Sequence, residues 1–252
     1  MAATVEILTP DADEEGCPKM ASRKLDGYKG SLDYSQLAAG MSAARANAHR
    51  LAKDARLLLE AKSYASAASL AALSIEEAGK VPILRTMALD LDEKALKAEW
   101  KRYRSHTSKN AHWIFPDLVK EGARSLEDFR SLHDESSDHP FVLDQVKQLG
   151  FYTDCLGDKA NWSIPDAVID SDLATPLVVT AELLSRGAPV TERELELWGQ
   201  HLGPVWGKDI NGVKTALVTW YSAMQYEGLI DEGPNKMAAF ILGRLGPPVK
   251  VS

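Results

Sequence analysis

The chain lacks any long run of apolar residues, and it contains only two cysteines among its 252 residues. A helix needs about 20 predominantly apolar residues to cross a bilayer, so we expect no membrane partner. The acidic N-terminus has no apolar stretch followed by a small-residue cleavage site, which disfavours a secretory signal. Cys17 and Cys155 are too few to form a disulfide framework and are expected to be reduced thiols. The sequence therefore predicts a cytoplasmic protein.

An excess of positive charge is also missing, because the formal net charge is −7. This value argues against a protein coated in basic surface for nucleic acid, although it leaves room for a local basic patch. The chain has no CxxC, HExxH, Walker or G-x-G-x-x-G motif, so we expect no metal and no cofactor. A di-iron site in a helical bundle needs Glu-x-x-His, and neither Glu76 nor Glu77 has a histidine three residues later.

Apolar residues recur at three- and four-residue spacings through most of the chain, which predicts an all-α fold. The first three helices are expected near residues 35–59, 64–89 and 92–118, with a kink at Pro82 in the second. About eight helices are expected in all, the first four long ones forming an antiparallel bundle. The later segments are predicted as a short helix and loop over 125–139, helices over 141–155, 173–186, 191–201, 213–226 and 237–245, and an ordered connector over 157–165.

Three regions are expected from these patterns. Residues 1–30 are polar and mixed in charge, with scattered glycine and proline, and predict a poorly ordered tail. Residues 31–190 are expected to form the helical bundle. Residues 191–252 are expected to form a C-terminal helical extension packed on that bundle.

The second helix carries two adjacent acidic residues, Glu76 and Glu77, which a helical wheel places on different faces. At about 100° per residue, Glu77 lies roughly 20° from Leu70, in the middle of the apolar stripe, whereas Glu76 lies roughly 120° away. The wheel therefore predicts that Glu77 is buried and that Glu76 points outward. A carboxylate among apolar neighbours needs a partner, so Glu77 is either a structural ion pair or an active-site carboxylate.

The third helix contains a basic segment that could supply that partner. On the wheel, His106 and Asn110 lie at the border of the buried side, with Arg102 and Lys109 beyond them, and Arg104 lies on the opposite border. Histidine beside cations suits metal-free phosphodiester cleavage, because it can accept a proton from a ribose 2′-hydroxyl or deliver one to the leaving oxygen. Arginine or lysine then stabilises the charge on the phosphate oxygens.

Three blocks of sequence follow one another along the chain. The first is residues 64–80, which end in Glu-Glu-Ala-Gly-Lys; the second is Arg-Ser-His at 104–106 with Lys109 and Asn110. The third is residues 147–154, followed by Trp162 and Pro165. In this order the blocks resemble the AbiV family of bacterial abortive-infection proteins, and the resemblance covers about residues 35–186.

The resemblance implies a HEPN-like antiparallel helical bundle, commonly a homodimer, with a role in defence against phage. Many HEPN proteins are metal-independent ribonucleases in which an arginine is followed, after four to six residues, by a histidine. This sequence departs from that spacing, because only three residues separate Arg102 from His106 and one separates Arg104 from it.

Two hypotheses remain open. In the first, the chain cleaves RNA and is activated by a phage protein; in the second, it is a non-catalytic helical protein that binds a phage or host factor. In the first hypothesis His106 is the general acid or base, Arg104 or Arg102 binds phosphate together with Lys101, Lys109 adds charge stabilisation, Asn110 adds a hydrogen bond, and Glu77 orients His106 or Arg104.

Overall fold

The structure is a computed structural model that describes residues 26–134 and 137–244. Most of the expected N-terminal tail, and Cys17 with it, lies outside these residues. The chain divides into two compact units, residues 1–30 and residues 31–252, and every helix and strand named below belongs to the second. No helix in the described ranges is both long enough and apolar enough to cross a membrane.

The expectation of an all-α fold is confirmed, since the described ranges form twelve α-helices, one 3-10 helix and a single short hairpin. The α-helices are α1 Tyr34–Glu60, α2 Tyr64–Ala78, α3 Lys80–Met87, α4 Glu93–Arg104, α5 His106–Lys109, α6 Phe115–Lys120, α7 His139–Phe151, α8 Pro165–Val168, α9 Ser171–Leu184, α10 Glu192–Leu202, α11 Ile210–Tyr226 and α12 Lys236–Ile241. The 3-10 helix is Leu126–His133, and the strands are β1 Asp154–Leu156 and β2 Asn161–Ser163.

Helix α2 lies at the centre of the bundle, in contact with α1, α7 and α9. Its alanines and serines permit this close packing, because small side chains let neighbouring backbones approach. The Ser74 hydroxyl donates to the Ala48 carbonyl of α1 at 2.7 Å, and the Ser69 hydroxyl donates to the Lys147 carbonyl of α7 at 3.2 Å. These bonds fix the rotation of α2 about its own axis.

The C-terminal helices share a hydrophobic core with α1 and α3. Leu195 and Leu202 of α10 are fully buried in one cluster with Leu37 and Met41 of α1. An ion pair of 2.5 Å joins Arg85 of α3 to Glu194 of α10 at the edge of this cluster. Apolar burial of this kind is the main stabilising term in folding, so α10 contributes to the stability of α1 and α3.

The second predicted helix is interrupted at Gly79, three residues before the kink expected at Pro82. Pro82 is the third residue of α3, in the first turn, where its missing N–H costs no helical hydrogen bond. Gly79 is required by a close approach: a Cβ at this position would lie 1.9 Å from the Lys109 carbonyl oxygen. The break therefore lets the end of α2 touch the backbone of α5.

The third predicted helix is also interrupted, so a single wheel over 92–118 was wrong. Ser105 is extended, with φ −78° and ψ 131°, and its hydroxyl accepts a hydrogen bond from the Ser108 amide at 3.2 Å. A serine in this conformation ends α4 and caps the new helix α5. His106 is the first residue of α5, and this break changes the direction in which it points.

The expected connector at 157–165 includes part of a small antiparallel hairpin, in which Cys155 pairs with Trp162. Each strand has three residues, too few to give a recognisable alternation of apolar and polar positions.

Candidate functional site

Glu76, the acid expected to point outward, is the buried member of the pair and is only 3% exposed. The predicted orientation of Glu76 and Glu77 is therefore wrong. The wheel was centred on Leu70, which is only partly buried, whereas the fully buried positions of α2 are mostly alanines and serines. One buried row consists of Ala65, Ser69, Ala72 and Glu76, each about one helical turn after the one before it.

Three nitrogen-bearing side chains surround the Glu76 carboxylate. Lys147 Nζ of α7 lies 2.5 Å from Oε1, while His106 Nδ1 and Lys109 Nζ of α5 lie 2.8 and 3.5 Å from Oε2. An ionised carboxylate accepts but does not donate, so the His106 Nδ1 carries the proton in this bond. In the neutral imidazole this leaves Nε2 as a proton acceptor.

The two lysines differ in their electrostatic surroundings. Burial alone would lower the pKa of Lys147, but hydrogen bonds to Asp144 and Glu76 outweigh this effect and raise the pKa above its ordinary value. Burial lowers the pKa of Lys109, and the charge of Glu76 opposes that effect only in part. Lys147 is therefore the firmer counter-ion for Glu76.

His106 is the member of this cluster that solvent reaches. Its side chain is 63% exposed, whereas the side chains of Lys109 and Lys147 are 7% and 6% exposed. We call Glu76, His106, Lys109 and Lys147 the Glu76 cluster. Because its charged groups are buried and its imidazole is open, a bound molecule would meet His106 first.

The turn that follows α5 is tied to the start of α7. The Asn110 amide nitrogen donates to the Pro140 carbonyl at 3.1 Å, and the Trp113 indole donates to the His139 carbonyl at 2.8 Å. His139 Nε2 in turn lies 3.0 Å from the Ala111 carbonyl. These bonds hold α5 and α7 together, and with them the residues that surround Glu76.

Asn110 is fully buried, which fits a structural hydrogen bond rather than contact with a substrate. Its side-chain oxygen has no hydrogen-bond partner among the described residues. A buried amide oxygen is costly to leave unpaired, so this position is where a bound water would be stabilised.

The structure brings His106 and Lys109 to Glu76 but places the other predicted residues elsewhere. Glu77 forms an ion pair of 2.6 Å with Lys80, and its charge opposes only slightly the lowering of the Lys109 pKa by burial, so it lies beside the cluster and not on His106. The Arg104 guanidinium lies over the Trp100 ring at 4.9 Å, not on Glu76.

The remaining predicted phosphate-binding residues lie on α4, near the start of α5. Arg102 forms hydrogen bonds of 2.8 and 2.9 Å with Glu99. It also lines a cavity of about 640 Å³ next to α5, together with Thr107 and Ser108. Lys101 is exposed. Both α4 cations are therefore accessible near His106, although neither touches the Glu76 carboxylate.

One atom each from Glu76, His106 and Asp144 could serve as a metal ligand, and the three atoms lie within 4.8 Å of one another. The same carboxylates also accept the ammonium of Lys147, which lies 2.7 Å from Asp144. A divalent cation would have to displace this ammonium or meet its repulsion. The donor set therefore fits a protonated lysine better than it fits a metal ion.

A family model for AbiV, a HEPN domain, matches residues 36–186, which is more than half of the chain. The chain belongs to the AbiV family. No curated protein and no solved structure matches it. The matched residues include all four members of the Glu76 cluster, and α10 to α12 lie beyond the match.

The Glu-Glu-Ala-Gly-Lys sequence that this AbiV-family chain carries at 76–80 has a physical explanation in the structure. Glu76 accepts from α5 and α7, Glu77 pairs with Lys80, and Gly79 lets the Lys109 backbone approach. Glu76, Glu77, Gly79 and Lys80 are thus each explained by a contact of the segment that joins α2 to α3.

Sequence reasoning missed Glu76, Lys147 and Asp144. Lys147 is the first residue of the third block of the family resemblance, but its sequence context indicates no chemical role. A wheel centred on the alanine row of α2 would have identified Glu76, because Ala65, Ser69 and Ala72 share its face.

Proposed function

We propose that this chain is a phage-defence protein that cleaves host or phage RNA without a metal ion and so halts translation. The observation that carries the proposal is the exposed His106 imidazole, held at Nδ1 by a buried carboxylate 2.8 Å away. A base oriented in this way resembles the carboxylate–histidine pairs that many enzymes use for proton transfer. Glu76 is a positioning residue in this account, and His106 is the catalytic residue.

The reaction that fits this arrangement is transesterification at the ribose. His106 Nε2 accepts the 2′-hydroxyl proton, and the 2′-oxygen forms a bond to phosphorus. The bond from phosphorus to the 5′-oxygen breaks, and that oxygen leaves as a hydroxyl after taking a proton from water. The hydroxide formed from this water takes the proton from His106, which returns the imidazole to its neutral form. The products are a 2′,3′-cyclic phosphate and a 5′-hydroxyl end, and no oxidant, reductant or co-substrate is needed.

Cations on α4 are suited to hold the substrate phosphate. Lys101 and Arg104 are exposed, and the Arg102 side chain is 48% exposed. They lie in the last turn of α4, two to five residues before His106. Cations placed there stabilise the charge that grows on the phosphate oxygens. Lys109 is buried, so its role in this account is to hold Glu76 rather than to touch RNA.

The test is RNA cleavage by the purified protein in EDTA, with total RNA or tRNA, with and without lysate of phage-infected cells as a trigger. His106→Ala is expected to abolish cleavage, and free imidazole is expected to restore part of it. His201→Ala, which removes a partly exposed imidazole on α10, is the matched control and should cleave normally. Cleavage that survives His106→Ala would overturn the catalytic role of His106. Absence of cleavage from every form and condition would favour the non-catalytic interaction protein instead.

We also infer that the protein acts as a homodimer. Large apolar side chains are exposed along α7, the hairpin and α8, and a soluble monomer rarely displays such a concentration. Pairing of two copies through this surface would bury it, and an isologous contact is the commonest arrangement of soluble oligomers. We call this the hairpin surface; it comprises Phe141, Phe151, Tyr152, Trp162, Ile164 and Val168.

A further inference from the structure

A groove between α1 and α9 lies apart from the Glu76 cluster and concentrates positive charge. It consists of two adjoining cavities of about 260 and 410 Å³, which share His49 and Arg186. Its ionisable lining residues are Arg45, His49, Lys53, Arg56, Glu182 and Arg186.

The charges of this groove do not cancel. Glu182 is its one acidic lining residue, and Arg56 neutralises it through hydrogen bonds of 2.7 and 2.6 Å. The side chains of His49, Lys53 and Arg186 are exposed and make no hydrogen bond or ion pair with any other residue in the described ranges. In a chain of net charge −7, this local excess of positive charge calls for an anionic ligand.

The groove also has a regular geometry. Arg45, His49 and Lys53 follow one another at four-residue intervals on α1, which places successive side chains about 6 Å apart along the helix. Arg45 is held in place, because its guanidinium donates to the Ala188 carbonyl and packs against Gly187. Two cations with an imidazole donor between them at this spacing suit a ligand that carries a regular row of negative charges.

We propose that this groove binds the phosphodiester backbone of single-stranded RNA. The choice of RNA over other polyanions as the ligand rests on the proposed function. The charge and shape of the groove are observed independently of it. The groove is a different site from the Glu76 cluster. Ser74 of α2 faces Ala48 of α1, and Glu76, two residues further on, points away from α1 towards α7. RNA held in the groove would be retained by the protein while another part of the strand reaches His106.

The test measures binding in the His106→Ala background, so that cleavage cannot interfere. A short fluorescein-labelled oligouridine is titrated with protein, and its anisotropy is recorded at several salt concentrations. The groove variant carries Lys53→Ala with Arg186→Ala. The matched control carries Lys94→Ala with Lys236→Ala, two exposed lysines on α4 and α12 that do not line the groove.

The groove variant is expected to bind about 20-fold more weakly near 0.1 M salt, and its slope of log affinity against log salt should fall by about 1.4 units, since each lost phosphate contact removes about 0.7. The control should keep the parent affinity and slope, and Lys53→Arg should also keep them. Equal slopes in the groove variant and the parent would overturn the proposal, as would an equal loss in the control.

These results separate the groove from the catalytic proposal. Groove-dependent binding by a protein that never cleaves RNA would remove the proposed function and leave the groove as an RNA-binding site. Cleavage by a protein whose groove variant binds RNA normally would remove the groove alone.

Discussion

At the scale of single residues, the buried carboxylate of Glu76 has three nitrogen-bearing partners. Lys147, Lys109 and His106 all approach its two oxygens, and its exposed fraction is 3%. Taking charged groups out of water is costly unless they stay paired, so each member of the cluster depends on the others. Glu77, one residue away, shares a single ion pair with Lys80 and is more exposed.

This difference predicts unequal losses of stability in two matched variants. Glu76→Ala leaves Lys109 buried without its counter-ion and leaves Lys147 with Asp144 alone, and it is expected to lower the free energy of unfolding by about 3–5 kcal/mol. Glu77→Ala removes a less buried pair and is expected to cost about 1 kcal/mol. Urea denaturation followed by circular dichroism measures both values. Equal losses, or a larger loss at position 77, would show that the burial assigned to Glu76 is wrong.

The sequence predicted an acid in a polar pocket with His106 and Lys109, but it selected the wrong member of the pair. Hydrophobicity identifies a buried face through large apolar side chains, and Leu70 and Leu73 are only partly buried in α2. The face that packs against α7 consists of small residues, whose burial depends on neighbouring helices. That information lies in the tertiary structure and not in the local pattern.

At the scale of secondary-structure elements, the breaks at Gly79 and Ser105 shape the site. A continuous helix through either residue would carry α5 away from α2. The long helices were predictable because their apolar spacing is regular, and the expected bounds for α1, α9 and α11 differ from those observed by a few residues. The breaks were less predictable, since Gly79 is required by a backbone contact with Lys109, thirty residues later.

A methyl group at position 79 is therefore expected to disturb the site. In Gly79→Ala the new Cβ would clash with the Lys109 carbonyl oxygen, so α5 has to shift. Overpacking of this kind typically costs about 1–3 kcal/mol. The thermal unfolding midpoint should fall and RNA cleavage should decrease with it. Gly40→Ala is the matched control and should be tolerated, because its new Cβ meets only ordinary contacts. Gly122→Ala is unsuitable as a control, since the positive φ at that position strains any residue with a side chain. An unchanged midpoint in Gly79→Ala would contradict the close approach.

The contact between α1 and α9 is predicted to weaken in acid. Hydrogen bonding to Arg56 lowers the pKa of Glu182, so the folded state favours the ionised carboxylate. A depressed carboxyl pKa stabilises the fold above the unfolded pKa, and this contribution is lost as the pH falls through the lower, folded value. In Glu182→Gln, the free energy of unfolding should decrease less steeply than in the wild type as the pH falls through the acidic range. Denaturation midpoints measured at several acidic pH values test this. A decrease as steep as that of the wild type would contradict it.

At the scale of the whole molecule, the inferred dimer rests on the hairpin surface. Trp162 is 70% exposed on β2, whereas Tyr226, 93% exposed at the end of α11, lies far along the chain from that surface. Trp162→Glu is expected to convert the dimer to a monomer, because it places a charge in the apolar contact. Tyr226→Glu should remain dimeric. Light scattering after size-exclusion chromatography measures both masses, and a wild-type monomer or a dimeric Trp162→Glu would contradict the inferred pairing.

The measurement that bears most directly on the whole account compares the two adjacent acids in the RNA cleavage assay. Glu76→Gln and Glu77→Gln are nearly isosteric, and thermal unfolding establishes that both variants are folded under the assay conditions. Because Glu76 holds His106 through a 2.8 Å hydrogen bond, its variant should lose most of the cleavage rate, while Glu77→Gln keeps it. Full activity in Glu76→Gln, or a loss confined to Glu77→Gln, would contradict the assignment of the buried carboxylate as the residue that positions the imidazole.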